Sequence, residues 1–150
     1  MPEQHVKPHG KDLRKGRVSV AGQVYHITAV TLERQPVFSD LRAARVLINT
    51  LRESQTRGVA TTLAFVAMPD HLHWLLRLEA ATTLSKVVGA VKAATAHSLG
   101  RRIWQAGFHD HALRQEEDLA KLARYIVANP MRAGLVERVG AYPHWDAVWL

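Results

Sequence analysis

The chain has 150 residues, 47% hydrophobic and 22% charged, a balance that suits one globular domain of the usual ~100–200 residues. It argues against long disordered tracts, collagen-like repeats and coiled-coil arrays. No apolar run approaches the roughly 18 residues of a membrane helix, and no signal-peptide core opens the chain, so a soluble cytoplasmic protein with no membrane partner is expected. Zero cysteines exclude disulfides, thiolate zinc sites, iron–sulfur clusters and cysteine nucleophiles, so any metal must rest on His, Asp, Glu, Asn or Gln. Twenty Lys and Arg against 13 Asp and Glu give +7, which favours a polyanion such as nucleic acid without separating DNA from RNA.

Residues 1–20 read as a basic, flexible arm, and in the eleven positions from Lys7 to Arg17 the five cations Lys7, Lys11, Arg14, Lys15 and Arg17 face Asp12 alone as opposite charge. Such an arm is either a solvated tail or a phosphate contact. Gln23 to Leu32, rich in Val, Tyr, Ile and Thr, predicts a first strand. Ser39 then caps a helix with Leu41, Ala44, Leu47, Ile48 and Leu51 on one side and Gly58 as its stop. Val59 to Met68 and His71 to Leu78 form a hairpin around Pro69-Asp70. Thr82 or Thr83 opens a second helix carrying Leu84, Val87, Val88, Val91 and Leu99, ended by Gly100, with Lys86 and Lys92 off the apolar side and Arg101 and Arg102 just beyond it. Phe108 to Leu113 is a short strand. Glu116, Glu117 and Asp118 suit the first turn of a third helix with Leu119, Leu122, Ala123 and Ile126 as its stripe, ending near Asn129-Pro130. The order predicts a single α+β domain, an antiparallel sheet with helices on one face and the other face free to meet nucleic acid.

Met68-Pro69-Asp70-His71-Leu72-His73-Trp74 carries the most chemical information. On a strand, Leu72, Trp74, Leu76 and Leu78 face the core while His71 and His73 share the other face with Arg77, their Cα atoms roughly 7 Å apart. Two imidazoles so placed can converge on one metal ion, or simply be two exposed polar residues. A second His-x-His, His109-Asp110-His111, has a poorer strand context, and Asp110 has Arg114 nearby as an ionic partner.

The other informative segment is Tyr125-Ile126-Val127-Ala128-Asn129-Pro130-Met131-Arg132-Ala133-Gly134-Leu135-Val136. On a continuous helix Tyr125 and Asn129 would stack one turn apart. Each also has a plain structural explanation: an amphipathic tyrosine with a wet hydroxyl, and an asparagine that satisfies helix-end carbonyls.

Met-Pro-Asp-His-Leu-His resembles the HUH motif of single-tyrosine HUH transposases, and Tyr125 to Val136 resembles the tyrosine helix of the REP-associated branch. Arg14-Lys15-Gly16-Arg17, Tyr25-His26-Ile27-Thr28, Trp104-Gln105 with Phe108, Asp110 and Arg114, and the tail from Tyr142 to Leu150 extend the likeness over nearly the whole chain. Asp70 departs from it, standing where that family commonly has Asn. The resemblance implies a ferredoxin-like (RRM-like) HUH endonuclease fold, His71, His73 and Asn129 as ligands of a divalent metal, Mg²⁺ or Mn²⁺, and Tyr125 as nucleophile. It also implies a single-stranded or hairpin DNA partner of the REP palindrome type, in a bacterial cytoplasm and at the nucleoid when bound, and either a monomer or a homodimer.

In that chemistry a phenolic oxygen attacks a DNA phosphate, expels the 3′-hydroxyl and leaves a 5′-phosphotyrosine, so rejoining needs no ATP. An ordinary phenol of pKa ~10 costs about 4 kcal/mol to ionise at neutral pH, which a metal on the phosphate and a nearby base would offset. Lys121, four residues before Tyr125, is one candidate base. Lys7, Lys11, Arg14, Lys15, Arg17, Lys86, Lys92, Arg101 and Arg102 are candidate DNA contacts, and exposed Trp or Tyr rings are candidate stacking platforms, with Trp145 and Trp149 equally suited to the core. A non-catalytic DNA-hairpin-binding protein of the same fold is the alternative; a water-using nuclease is a third.

Overall fold

A computed structural model describes residues 22–80, 82–114 and 119–147. The basic arm with Lys7, Lys11, Arg14, Lys15 and Arg17, the acidic run at Glu116 to Asp118, and Trp149 lie outside the described residues. Five strands, β1 (Val24–Val30), β2 (Ala60–Met68), β3 (His71–Leu78), β4 (His109–Ala112) and β5 (Trp145–Ala147), form one sheet in the order β4-β1-β3-β2-β5, with every pairing antiparallel. Helix α1 (Leu41–Thr56) joins β1 to the β2–β3 hairpin, and α2 (Leu84–Leu99) follows it. Helix α3 (Leu119–Val127) and a single turn, α4 (Asn129–Arg132), come between β4 and β5. Among the described residues no helix is long and apolar enough to cross a membrane.

The alternation of β1 and β3 decides one layer. Tyr25, Ile27, Ala29, Leu72, Trp74, Leu76 and Leu78 are buried on the same face, against Ala43, Ala44, Leu47 and Leu51 of α1 and Leu84, Val87, Val88 and Val91 of α2. Strand β2 does not alternate. Leu63 through Met68 are all buried, the signature of a strand covered on both sides. A bulge between Thr62 and Ala64 turns Leu63 and Ala64 to the second face, where they join Val66, Met68 and Leu75. Ala123, Ile126 and Val127 of α3 close over this cluster, with Leu113 and Tyr142.

The α+β class and the antiparallel sheet are as expected, whereas the placement of the helices differs: α1 and α2 share one face and α3 lies on the other. The physical reason is β2, whose second face is apolar and, with Leu75 of β3, needs cover.

Helix boundaries follow local chemistry. The cap of α1 is Asp40, whose carboxylate accepts from the Arg42 amide at 3.1 Å, and not Ser39, which closes a short 3₁₀ turn, Val37–Ser39. Thr83 caps α2 through the Lys86 amide at 3.1 Å, and Gly100, at φ +72°, ends it.

Leu75→Ala should cost about 2–5 kcal/mol and Trp74→Ala about 3–5 kcal/mol in urea unfolding, since both side chains are fully buried on opposite faces. A sheet with one covered face would leave Leu75→Ala within about 0.5 kcal/mol of wild type.

Candidate active site

Antiparallel pairing of β1 with β3 sets Thr28 opposite His73 and Val30 opposite His71, so His26 and Thr28 share the second sheet face with both histidines. The His71 and His73 rings meet edge to face with centroids 4.9 Å apart. His71 Nδ1 lies 2.7 Å from Asp70 Oδ1, and Asp70 Oδ2 accepts from Arg34 Nη1 at 2.9 Å. His73 Nδ1 lies 3.1 Å from His26 Nε2 and 3.2 Å from Thr28 Oγ1. Each Nδ1 is thus held inside the protein, which leaves Nε2 as the outward nitrogen of each ring, the arrangement found around metal-binding imidazoles.

Electrostatics agree with that use. Burial first, then the charges of His71, His26 and Arg132, push the His73 imidazole down to about 3. His26 is lowered by burial and by His111. Burial works to raise the Asp70 carboxyl, but the bonds from His71 and Arg34 outweigh it and hold the group below its ordinary value. At neutral pH the face therefore presents a neutral His73 with its lone pair free and an ionised carboxylate behind His71.

The competing pair, His109 and His111, lies on β4 opposite Thr28 and His26, so it shares this face at its outer edge, two strands from His71 and His73.

Tyr125 sits in the last turn of α3 and is 56% exposed. Its helix breaks at Ala128 instead of running on to Asn129, so the expected stacking of Tyr125 and Asn129 on one continuous helix is replaced by a kink. The cause is Pro130, which has no N–H to give the Ile126 carbonyl. Asn129 Nδ2 donates to that carbonyl at 3.0 Å, the capping role open to it from sequence, and its amide oxygen takes no part in this bond. One residue earlier, the Tyr125 carbonyl accepts from Arg132 Nη2 at 2.8 Å, and the same guanidinium lies 3.8 Å from the centre of the Tyr125 ring. Arg132 is also one of the charges that lower the His73 pKa.

Among the described residues no three His, Asp or Glu side chains converge as a metal cluster. A divalent ion here would rest on His71, His73 and the amide oxygen of Asn129, with solvent or substrate completing its shell. The Nδ1-anchored imidazoles suit that role, and an amide oxygen suits Mg²⁺ or Mn²⁺.

The remaining predicted contacts are scattered. Lys86 is exposed at the start of α2 and Arg101 and Arg102 beyond its end, separated by a helix about 24 Å long that packs on the other sheet face. They do not join the histidine site into one patch. Lys92 departs from expectation: its ammonium donates to the Gln105 and Gly107 carbonyls at 2.9 and 2.6 Å and lies 5.9 Å from the centre of the Trp104 ring. It braces the loop before β4. Lys121 is exposed one turn before Tyr125, and Trp145 is half-buried beside the α3 cluster.

His26, Thr28, Arg34 and Arg132 were not assigned roles from sequence. The alternation of β1 is a signal that would have put His26 and Thr28 on one face. Which residues of β3 they oppose depends on register, and the position of Arg132 depends on the kink.

The chain is 33% identical over 82 residues to the REP-associated tyrosine transposase of Escherichia coli K12. It is 29% identical over 99 residues to a Haemophilus influenzae protein provisionally given the same name. These alignments cover 53% and 55% of this chain, which spans about half the length of the curated relatives it matches (50% and 56%). The solved structure of a REP-associated tyrosine transposase bound to a REP hairpin superposes with a TM-score of 0.76 at 24% identity, covering 86% of this chain and 79% of that one, a likeness of fold. The family model described as "Transposase IS200 like" matches residues 19–129, well over half the chain. By that match, the protein built around these histidines and this tyrosine turn belongs to the IS200-like transposase family.

Proposed function

We propose that the chain is a metal-dependent single-stranded DNA endonuclease and strand transferase that acts on REP-type palindromic hairpins through a 5′-phosphotyrosine at Tyr125. The observation that carries this reading is the pair of imidazoles on one sheet face, each with its Nδ1 held from within the protein, in a chain that also exposes a tyrosine at a helix end. Family membership supports it, as does the fold shared with a transposase solved on a REP hairpin.

His71, His73 and Asn129 would hold Mg²⁺ or Mn²⁺. Such an ion supplies positive charge at the non-bridging oxygens of the scissile phosphate. Asp70 and Thr28 keep the two rings aimed, and the neutral state of His73 keeps its Nε2 a donor to a cation. The Tyr125 oxygen forms the new bond to phosphorus, the bond to the 3′-oxygen breaks, and that oxygen leaves as a hydroxyl with a proton from solvent. The phenolic proton passes to water or to Lys121. Because one phosphodiester bond replaces another, a second 3′-hydroxyl can reverse the step. The arm residues Lys7, Lys11, Arg14, Lys15 and Arg17, with Lys86, Arg101 and Arg102, supply backbone charge contacts in this reading, and Lys92 does not. The site of action is the bacterial cytoplasm, at the nucleoid.

An end-labelled hairpin with a single-stranded foot tests the proposal in Mn²⁺. Wild type should retain a 3′-label as a protein adduct on a denaturing gel and release a 5′-labelled fragment, whereas Tyr125→Phe should lower adduct formation by at least about 1,000-fold. Undiminished cleavage by Tyr125→Phe would refute the tyrosine mechanism, and hairpin binding with no adduct from wild type would favour the non-catalytic alternative. His71→Ala and His73→Ala should each lower the cleavage rate at fixed Mn²⁺ by about 10–100-fold while leaving hairpin affinity in chelator within about threefold.

A pH dependence follows from the depressed imidazole. The unfolded His73 side chain takes a proton near pH ~6.5, whereas the folded one resists until about 3, so its stabilising contribution is present above ~6.5 and is lost as pH falls through that window. His26 and His144 are shifted the same way. Melting temperature in chelator should drop between pH 7 and 5, and His73→Gln should drop less; parallel curves for the two proteins would contradict a buried neutral His73.

A further inference from the structure

Seven residues and a helix break separate Tyr125 from Arg132, yet the arginine returns to it twice. Nη2 donates to the Tyr125 carbonyl at 2.8 Å, and the guanidinium carbon stands 3.8 Å from the centre of the Tyr125 ring. We propose that Arg132 is the positioning residue of the tyrosine nucleophile, a plate that holds the phenol in one rotamer until a phosphate arrives. The proposal rests on the reading of Tyr125 given above.

A side chain 56% open to solvent at a helix end has nothing behind it to select one rotamer, whereas in-line attack needs the reacting atoms ~3–3.5 Å apart and aligned. A misplacement of about 1 Å costs on the order of a hundredfold in rate. Arg132 restricts that freedom from a fixed base, because its hydrogen bond is to the backbone of the very residue whose ring it covers.

Helical side chains lean toward the N-terminus, so an arginine in α4 reaches back over α3 without strain. Across the break at Ala128 the guanidinium spans the two turns back to Tyr125, a rise of about 10.5 Å on a continuous helix. A helix-capping arginine would need the hydrogen bond alone. The ring contact goes beyond that need.

Arg132→Gln separates capping from positioning, since the amide still donates to a carbonyl but offers no guanidinium plane. With the full chain, Mn²⁺ and the hairpin oligonucleotide, Arg132→Gln and Arg132→Ala should both slow adduct formation at saturating DNA by about 10–100-fold. Hairpin affinity in chelator should stay within about threefold of wild type. With ring-labelled tyrosine, the Tyr125 resonance, identified by its loss in Tyr125→Phe, should move in Arg132→Gln while Tyr25 and Tyr142 stay in place.

Wild-type rate and an unmoved resonance in Arg132→Gln would reduce Arg132 to a cap and overturn the proposal. Weakened affinity with an unchanged saturating rate would make it a phosphate contact and overturn it equally. Adduct formed by Tyr125→Phe would bring down the nucleophile assignment and this inference with it. An inactive Tyr125→Phe beside a fully active Arg132→Gln would remove this inference alone.

Discussion

The structure depends on the pairing of β1 with β3. That register sets His26 and Thr28 against His73 and so decides what binds its Nδ1, while His71 Nδ1 is held by its neighbour Asp70. A slip of one residue would send His26 to the core and Tyr25 to the surface, since side chains alternate with a period of two. The apolar layer beneath, with Ile27, Trp74 and Leu76 fully buried, makes such a slip costly. Packing on one face therefore secures the polar geometry on the other.

Strand β2 divides that second face. Its unbroken apolar run demands cover, and α3 supplies it through Ala123, Ile126 and Val127. The neighbouring half, over β3 and β1, remains polar and keeps its imidazoles. Tyr125 and Arg132 lie on α3 and α4, which pack on β2. A helix recruited to bury apolar surface thus also presents an exposed tyrosine.

The kink in this helix shows how one missing N–H is absorbed. Pro130 leaves a carbonyl without its usual donor, and the chain answers with a side-chain amide from Asn129; the carbonyl before it takes Arg132. Both substitutes are polar groups with further capacity: an amide oxygen on one, and most of a guanidinium on the other. A backbone defect is satisfied by the residues to which ligand and positioning roles are proposed here.

Much of the architecture was legible in the residues themselves. Four of the five strands, the two long helices, a cap at Thr82 or Thr83 and the glycine stops follow from local periodicity and local hydrogen bonding, and the alternation of β3 already puts His71 and His73 together; the three-residue β5 is too short to carry such a signal. The cap of α1 was placed one residue early because Ser39 and Asp40 both carry a suitable oxygen, and only the chain's entry angle selects between them. The side of the sheet taken by α3 was hidden, since an amphipathic stripe says that a helix packs without saying on what. The loop role of Lys92 was hidden as well, because its two carbonyl partners lie 13 and 15 residues away. By itself the sequence determined the elements, the imidazole pair and the presence of a tyrosine turn, all of which arise from neighbours within a few residues. Tertiary structure alone decided that His26 and Thr28 anchor His73, that α3 covers the second face and that Arg132 lies over Tyr125. Each of these depends on strand register or on the direction of a kink, quantities that belong to pairs of distant segments and to no single one.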